Sequence, residues 1–258
     1  MAIITLTTDF GSRDGYVGAM KGVLARLGRQ PASSFSNLLS VVDISHDIPR
    51  GDIAHAAWVV ATACREFPEN TIHIVVVDPG VGGARRGVVI DAAGSYYVGP
   101  DNGVFAYLEP QWARAIEHIQ IMAPEVSSTF HGRDVFATAA AALALKIDPT
   151  AIGPFVELEG RLPWGTRPAG EGRVVHIDHY GNLVTDLPGD EAGVAVAIAG
   201  RRLPMVATYE SVLPNELLAY IGSARTVEIA IRDGRADRVL DAPRGTAIVP
   251  VTEGSAYR

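Results

Sequence analysis

Runs of β-branched and apolar residues alternate with amphipathic segments over the first third of the chain, and this alternation limits its fold most strongly. The apolar runs at 3–8, 40–44 and 71–77 are short and β-branched, which predicts buried strands. The segments at 14–27 and 52–67 carry apolar residues at helical spacing. Near-continuous apolar strands separated by helices are typical of a parallel sheet that is covered on both faces. We therefore predict an α/β domain with a mainly parallel sheet.

The character of the sequence changes after residue 155. Before this point, a predicted hairpin at 86–92 and 95–99 and an Ala-rich helix at 133–146 complete the α/β domain. The residues that follow are too rich in Pro and Gly for a regular element. Beyond them, short strands punctuated by turns predict a small antiparallel β domain, with strands at 174–177, 183–185, 194–198, 227–231 and 247–251. We expect three parts: an N-terminal α/β domain over 1–155, a linker over 156–172 and a C-terminal β domain over 173–258.

The composition restricts the partners and the compartment of the protein. Its 22 Lys and Arg residues against 29 Asp and Glu residues give a formal charge of −7, and without a basic stripe nucleic acid is not an expected partner. The single cysteine, Cys64, cannot form an internal disulfide, and its apolar surroundings predict that it packs in the core. The N-terminal residues lack the features of a signal peptide or a membrane span. We expect a cytoplasmic protein that does not associate with membranes.

Three predicted strands each end at or near an aspartate, namely Asp9, Asp43 and Asp78. The carboxyl ends of parallel strands share one edge of the sheet, and ligands of open α/β sheets bind at this edge. Each aspartate alone would more often be a helix cap or a turn residue, but together they favour a binding site. A carboxylate at this edge can accept hydrogen bonds from the vicinal hydroxyls of a ribose, so Asp9 is a candidate ribose ligand.

A glycine-rich loop follows the third strand and runs from Asp78 to a basic pair, Arg85 and Arg86. As an anion-binding nest this loop is a weak candidate, because it lacks the phosphate-loop pattern and does not open a helix. Alternatively, its glycines allow the loop to fold back and bring the Arg85 guanidinium next to Asp78, which would keep that carboxyl ionised.

His131 and a turn in the second domain provide further candidates. A histidine in a loop is more often structural, although the position of His131 beside Gly132 at the start of the Ala-rich helix favours a functional role. The histidines do not have the spacing of metal ligands, and we predict no catalytic metal. The turn contains Asp178, Tyr180 and Asn182, which offer a carboxylate, an aromatic face and an amide. The same residues are equally typical of a plain hairpin turn.

Six ordered motifs resemble those of a known family. They run from residue 8 to about residue 234 and read Thr-Asp-Phe-Gly, Val-Asp-Ile-Ser-His-Asp-Ile-Pro, Val-Asp-Pro-Gly-Val-Gly followed by Arg85, Gly-Pro-Asp-Asn-Gly, Phe-His-Gly-Arg-Asp-Val-Phe and Ile-Asp-His-Tyr-Gly-Asn-Leu-Val-Thr. On these motifs the chain resembles the S-adenosyl-L-methionine hydroxide adenosyltransferases, the hydrolytic relatives of the fluorinase and chlorinase enzymes.

The resemblance implies that S-adenosyl-L-methionine is hydrolysed to adenosine and L-methionine, by SN2 attack of a bound water or hydroxide on the ribose C5′ and without a cofactor. It also implies that the C-terminal domain is a β-barrel. The implied assembly is a homotrimer whose active site lies between the N-terminal domain of one subunit and the C-terminal domain of the next. Carried over to this chain, the site residues of the family are the triad Asp78, Arg85 and His131 that holds the nucleophile, the ribose ligand Asp9, the ammonium ligand Asp178, the adenine or ribose ligand Asn182, the aromatic residues Tyr180 and Tyr209, and the carboxylate-binding Ser223.

The halogenases of the same family architecture resemble this chain less closely. They carry an aromatic residue at the position of Asp78, a small polar residue at that of Gly132 and no histidine at that of His131, and the fluorinase has an inserted loop near 91–94. Water is therefore the expected nucleophile. The alternatives are a module that binds S-adenosyl-L-methionine or adenosine with little turnover, and an adenosyltransferase that uses a halide.

Overall fold

The computed structural model describes residues 2–28, 39–117 and 125–252. Its chain divides into two compact units, Met1–Leu162 and Pro163–Arg258. This division lies inside the segment 156–172 that is rich in Pro and Gly. None of the described helices combines the length and the apolarity that crossing a membrane requires.

The described residues of the first unit form a six-stranded sheet and three α-helices. Its strands are β1 Ile3–Thr8, β2 Ser40–Ser45, β3 Ile72–Val76, β4 Gly87–Ala92, β5 Ser95–Pro100 and β6 Trp112–Ala115. Its helices are α1 Tyr16–Leu27, α2 Ile53–Ala63 and α3 Ala137–Ala144. The sheet order is β2-β1-β3-β5-β4-β6, in which the first four strands pair in parallel and β4 is antiparallel to both of its neighbours. The predicted α/β fold with a mainly parallel sheet is confirmed.

Alternate residues of β3 and of its continuation to Val77 face opposite helical layers, which explains why this strand is buried along its whole length and largely apolar. Ile74 belongs to the core cluster that includes Leu24 of α1 and Ala140 of α3. Val75 belongs to a second cluster, which includes α2 and Cys64. Burial raises the pKa of the Cys64 thiol to about 12, so this cysteine is an inert core residue, as predicted.

The second unit is an antiparallel barrel. Its strands are β7 Gly172–Ile177, β8 Leu183–Pro188, β9 Ala195–Ile198, β10 Arg201–Pro204, β11 Leu217–Ile221, β12 Thr226–Ile231 and β13 Ala247–Val251. They pair in the order β10-β9-β13-β7-β8-β12-β11. Just after β10, the Val206 N–H donates to the Ala219 carbonyl of β11 at 2.8 Å, so the two ends of the sheet meet. The predicted antiparallel β-barrel is confirmed as a nearly closed one.

Three strands were not predicted, because their sequences contain almost no β-branched residues. The strand β10 reads Arg-Arg-Leu-Pro and buries only Leu203. The strand β6 contains Arg114, which is buried because its guanidinium donates to the Gly153 carbonyl and stacks 3.7 Å from the Phe155 ring. The strand β11 has a single β-branched residue, at its end. Tertiary contacts rather than local preference therefore make these segments extended.

The buried His73 of β3 makes the first unit sensitive to acid. Its side chain is 1% exposed, its Nδ1 lies 2.8 Å from the Thr5 hydroxyl, and its ring lies 4.7 Å from that of Tyr97. Burial lowers the pKa of His73 from 6.5 to about 4. Between these two values the unfolded chain binds a proton that the folded chain does not, so the folded state loses stability as the pH falls.

We expect the free energy of unfolding to fall by about 3 kcal/mol more in the wild type than in His73→Gln between pH 6.5 and pH 4. Glutamine does not titrate, so the variant lacks this contribution. Denaturant unfolding at a series of pH values measures the difference. The variant His179→Gln, altered at an exposed histidine, should follow the wild type. Parallel pH profiles for the wild type and His73→Gln would contradict the prediction.

Candidate active site

Two strands of the first unit bring carboxylates to a cavity at the carboxyl edge of the sheet. Asp9 directly follows β1, and Asp78 follows β3 by two residues. The third strand-end aspartate, Asp43, lies outside this lining and pairs with Lys21 at 2.6 Å and with His46 at 3.1 Å. The cavity has a volume of about 50 Å³, which suits a small molecule such as water. It is lined by Asp9, Phe10, Val76, Asp78, Val81, Thr129, Phe130, His131 and Gly132.

The glycine-rich loop after β3 folds back on itself, in the manner of the second interpretation of its sequence. Arg85 Nε lies 2.9 Å from each carboxylate oxygen of Asp78, and Arg85 Nη2 also donates to Asp78 Oδ2. The return depends on Gly82, whose φ is +76° and where a Cβ would collide with the Ser128 carbonyl. The side chains of Asp78 and Arg85 are only 4% and 12% exposed. Such a buried, multiply bonded pair fixes both groups and balances their charges.

His131 joins this pair from the start of the Ala-rich segment. The segment begins with a π-helical turn, Gly132–Phe136, that leads into α3, and His131 immediately precedes the turn. His131 Nδ1 lies 2.8 Å from Arg85 Nη2. Because a guanidinium can only donate, Nδ1 accepts this hydrogen bond and the neutral ring carries its proton on Nε2.

The surroundings of His131 keep its ring neutral at pH 7. Burial is the largest effect that lowers the pKa of His131, and the positive charge of Arg85 lowers it further. The negative charges of Asp78 and Asp134 oppose this shift without cancelling it. The cluster therefore holds one anion, one cation and one neutral imidazole.

Phe10, Phe130 and Gly132 form another wall of the cavity, and the ring of Tyr16 packs against the two phenylalanines. The rings of Phe10, Tyr16 and Phe130 contact one another at centroid distances of 5.8, 6.0 and 5.4 Å. A Cβ at Gly132 would lie 3.3 Å from Met20 Sδ and 3.4 Å from Phe10 Cζ. A side chain at this position would need the Met20 side chain to give way by a few tenths of an ångström, whereas its contact with Phe10 would be close to an ordinary one.

Asp9 is oriented by the backbone. Its Oδ2 accepts a hydrogen bond from the Gly51 N–H at 2.8 Å. A carboxylate has lone pairs for further donors, so Asp9 retains the capacity to bind hydroxyl groups of a ligand in the cavity.

The second unit has a larger cavity of its own, with a volume of about 580 Å³. This size is in the range of sites for small organic ligands. The lining consists of Tyr180, Asn182, Tyr209, Ile231, Asp233, Gly234 and Arg235. Three of the residues named by the family resemblance therefore share this cavity. Ser223, by contrast, lies exposed in the turn between β11 and β12 and does not belong to the lining.

The turn from β7 to β8 is held by its own polar side chains. Asp178 accepts hydrogen bonds from the backbone N–H and the side-chain Nδ2 of Asn182, both at 2.9 Å. Gly181 has a φ of +84°, which the turn requires. These contacts match the hairpin interpretation of the sequence. The same turn also presents Tyr180, which is 72% exposed, and the buried Asn182 to the cavity.

A chain of hydrogen bonds that the sequence did not reveal runs from Asn182 to a buried glutamate. Asn182 Nδ2 donates to Tyr209 Oη at 3.1 Å. Tyr209 Oη lies 2.8 Å from Tyr220 Oη, which donates to Glu228 Oε2 at 2.5 Å. Tyr220 and Glu228 are directly opposite each other in the β11–β12 pair. Only the register of these strands reveals the contact, and β11 was not predicted.

The described residues include no group of three or more His, Cys, Asp or Glu side chains that could hold a metal ion. Asp9 and His131 of the first cavity and Asn182 of the second are held by hydrogen bonds to protein groups.

Both units match models of one protein family. Residues 4–153 match the SAM hydroxide adenosyltransferase N-terminal domain, where SAM denotes S-adenosyl-L-methionine. Residues 172–249 match the C-terminal domain of the same family.

Individual relatives agree with the family models. An (R)-S-adenosyl-L-methionine hydrolase of Thermus thermophilus is 38% identical over 263 residues, which cover 96% of this chain and 99% of that protein. A protein of the same name from Methanocaldococcus jannaschii is 39% identical, over 73% of this chain and 68% of its own. A fluorinase of Actinopolyspora mzabensis is 24% identical, over 83% of this chain and 80% of its own.

The solved structures show the same similarity. The crystal structure of a conserved hypothetical protein from Thermus thermophilus superimposes with a TM-score of 0.80 at 35% identity, over 97% of this chain and 100% of that one. An uncharacterised conserved protein from Thermotoga maritima gives a TM-score of 0.81 at 29% identity, over 95% of this chain and 99% of that one. With both units matched and more than one relative above 35% identity, the chain belongs to the SAM hydroxide adenosyltransferase family.

Proposed function

We propose that this protein hydrolyses S-adenosyl-L-methionine to adenosine and L-methionine. The observation that carries the proposal is the buried cluster of Asp78, Arg85 and His131 at a cavity of water-like size. The names of the relatives supply the substrate. The cluster supplies a site for the attacking water.

The reaction requires one bond to form and one to break. The oxygen of water bonds to the ribose C5′, the C5′–S bond breaks, and its electron pair goes to sulfur. The sulfonium leaves as a neutral thioether, so the leaving group needs no acid, and one proton of the water is released. The barrier then depends on holding the water in line with the C5′–S bond and on excluding other solvent.

The hydrogen-bond geometry favours Asp78 as the acceptor of this proton. Arg85 stays protonated in proteins and only donates. His131 Nδ1 is occupied by Arg85 and its Nε2 already carries a proton, so His131 can donate to the nucleophile but cannot deprotonate it. The Arg85 charge would stabilise the hydroxide that forms, and Asp78 retains lone pairs to take the proton.

The remaining residues are proposed to bind the rest of the substrate. Asp9 would accept hydrogen bonds from the ribose hydroxyls, and Ser223 would bind the methionine carboxylate. The cavity that Tyr180 and Tyr209 border would take the adenine beside Asn182. Asp178 would face the methionine ammonium rather than the sulfonium, because a carboxylate at sulfur would stabilise the charged ground state and slow the reaction.

The space around Gly132 argues against the halide alternative. A small polar side chain at this position, as in a halide pocket, would require the Met20 side chain to shift slightly. The charged cluster also fills the site with hydrogen-bonding groups that suit water.

The matched variants Asp78→Asn and Asp43→Asn test the proposal. Both remove a carboxylate near a strand end, but only Asp78 lines the cavity. We expect the wild type to form adenosine and methionine in equal amounts, Asp78→Asn to lose at least about a hundredfold in kcat, and Asp43→Asn to stay active. Chromatography of the products measures turnover. Thermal unfolding checks that both variants are folded, which is needed because Asp78 is part of a buried ion pair.

Intact substrate after long incubation with excess wild-type protein would contradict the proposal, and bound adenosine without turnover would support the binding module instead. A 5′-chloro-5′-deoxyadenosine product in concentrated chloride would support the halide alternative.

The homotrimer with shared active sites is a further part of the proposal, supported by the family resemblance. Co-expression of His131→Ala with Asn182→Ala subunits tests it. If each site takes His131 from one subunit and Asn182 from the next, mixed trimers contain intact sites and regain activity that neither variant has alone. Light scattering measures the assembly. Mixed oligomers as inactive as the separate variants would contradict a shared site.

A further inference from the structure

The hydrogen-bond chain of the second unit has a fixed direction because it ends at a carboxylate. Glu228 is 9% exposed, and its Oε2 accepts a hydrogen bond from the Tyr220 hydroxyl. Tyr220 must then accept from Tyr209, and Tyr209 must accept from Asn182. The hydroxyl hydrogens of both tyrosines therefore point away from the cavity.

This direction decides which atom Asn182 presents to a ligand. Its Nδ2 donates one hydrogen to Tyr209 and the other to Asp178. Both donors of the amide are thus engaged inside the protein, which leaves Oδ1 as the group for a ligand. A ligand that offers an N–H donor is matched by this oxygen, whereas a ligand that offers a carbonyl is opposed by it.

Glu228, at the end of this hydrogen-bond chain, is packed closely in the barrel. The Glu228 carboxylate lies against Gly222, where a Cβ would collide with Oε1. The rings of Tyr209 and Tyr220 contact each other at 5.1 Å. Burial raises the pKa of Glu228, and the hydrogen bond from Tyr220 opposes that rise by stabilising the carboxylate. Residues on three separate elements therefore act as one network.

We propose that Glu228 is a positioning residue for substrate recognition: through Tyr220 and Tyr209 it orients the Asn182 amide as an acceptor for an amino group of the bound base. This inference rests on the proposed function, in which the cavity of the second unit takes a purine. An acceptor oxygen on Asn182 makes the site selective for a 6-amino purine, which donates through its amino group. A 6-oxo purine presents an acceptor at the same position and would be disfavoured.

Calorimetric binding of adenosine and of inosine at pH 8 tests this selectivity. We expect the wild type to bind adenosine more tightly than inosine. Glu228→Gln, which replaces the fixed acceptor by a group that can also donate, should weaken adenosine binding about tenfold and change inosine binding less. Tyr220→Phe, which keeps the aromatic ring but removes the hydroxyl that links Tyr209 to Glu228, should reduce the preference for adenosine over inosine in the same way. Glu191→Gln alters an ion pair with Arg167 elsewhere in the unit and should leave the preference unchanged.

The ratio of the two affinities separates positioning from a structural role. A variant that merely loosens the barrel would weaken both nucleosides equally, and that result for Glu228→Gln and Tyr220→Phe would overturn the inference. Variants that bind both nucleosides as tightly as the wild type would also overturn the inference. If the wild type hydrolyses S-adenosyl-L-methionine, either outcome leaves the proposed function intact. A wild type that neither binds adenosine nor hydrolyses the substrate would overturn both.

Discussion

The contacts of the Arg85 guanidinium set the ionisation, the tautomer and the position of the whole cluster in the first unit. Arg85 donates to both carboxylate oxygens of Asp78 and to Nδ1 of His131. One cation thereby stabilises the buried anion, lowers the pKa of the imidazole and directs the imidazole proton to Nε2. Without this guanidinium, Asp78 would be a nearly buried charge without a counter-ion, which is strongly destabilising.

Three separate segments of the first unit position the residues of this contact. The strand β3 ends at the sheet edge and places Asp78 there. The positive φ of Gly82 lets the following loop return with Arg85. The π-helical turn before α3 places His131 on the other side of the guanidinium. The second unit follows a related principle, because the buried carboxylate of Glu228 sets the direction of the hydrogen bonds that reach its cavity. In both units one buried side chain, the Arg85 guanidinium in the first and the Glu228 carboxyl in the second, determines which neighbouring groups donate and which accept.

The sequence predicts most of the first unit because β1, β3 and β4 are rich in β-branched residues and largely buried. The turn with Asp178 and Asn182 was also visible, since turn-forming residues follow a strand. The Arg85–Asp78 contact was one of two interpretations of the loop, the other being an anion-binding nest. The sequence does not determine which backbone angles the glycines of this loop adopt. The Tyr220–Glu228 pair could not be predicted, since it depends on the register of β11, whose sequence carries little strand signal. The roles of individual site residues came from the family resemblance rather than from their chemistry alone.

In the proposed reaction water attacks C5′ directly, while Asp78 acts as a base rather than as a nucleophile. Arg85 engages both Asp78 oxygens, which favours this division of roles. A single turnover in water enriched in oxygen-18 tests it, with excess enzyme over S-adenosyl-L-methionine and mass spectrometry of the adenosine. Direct attack predicts that the adenosine of this first turnover carries the label in its 5′-hydroxyl group. Unlabelled adenosine, with the label in the Asp78 carboxylate instead, would show a covalent ester and contradict the account.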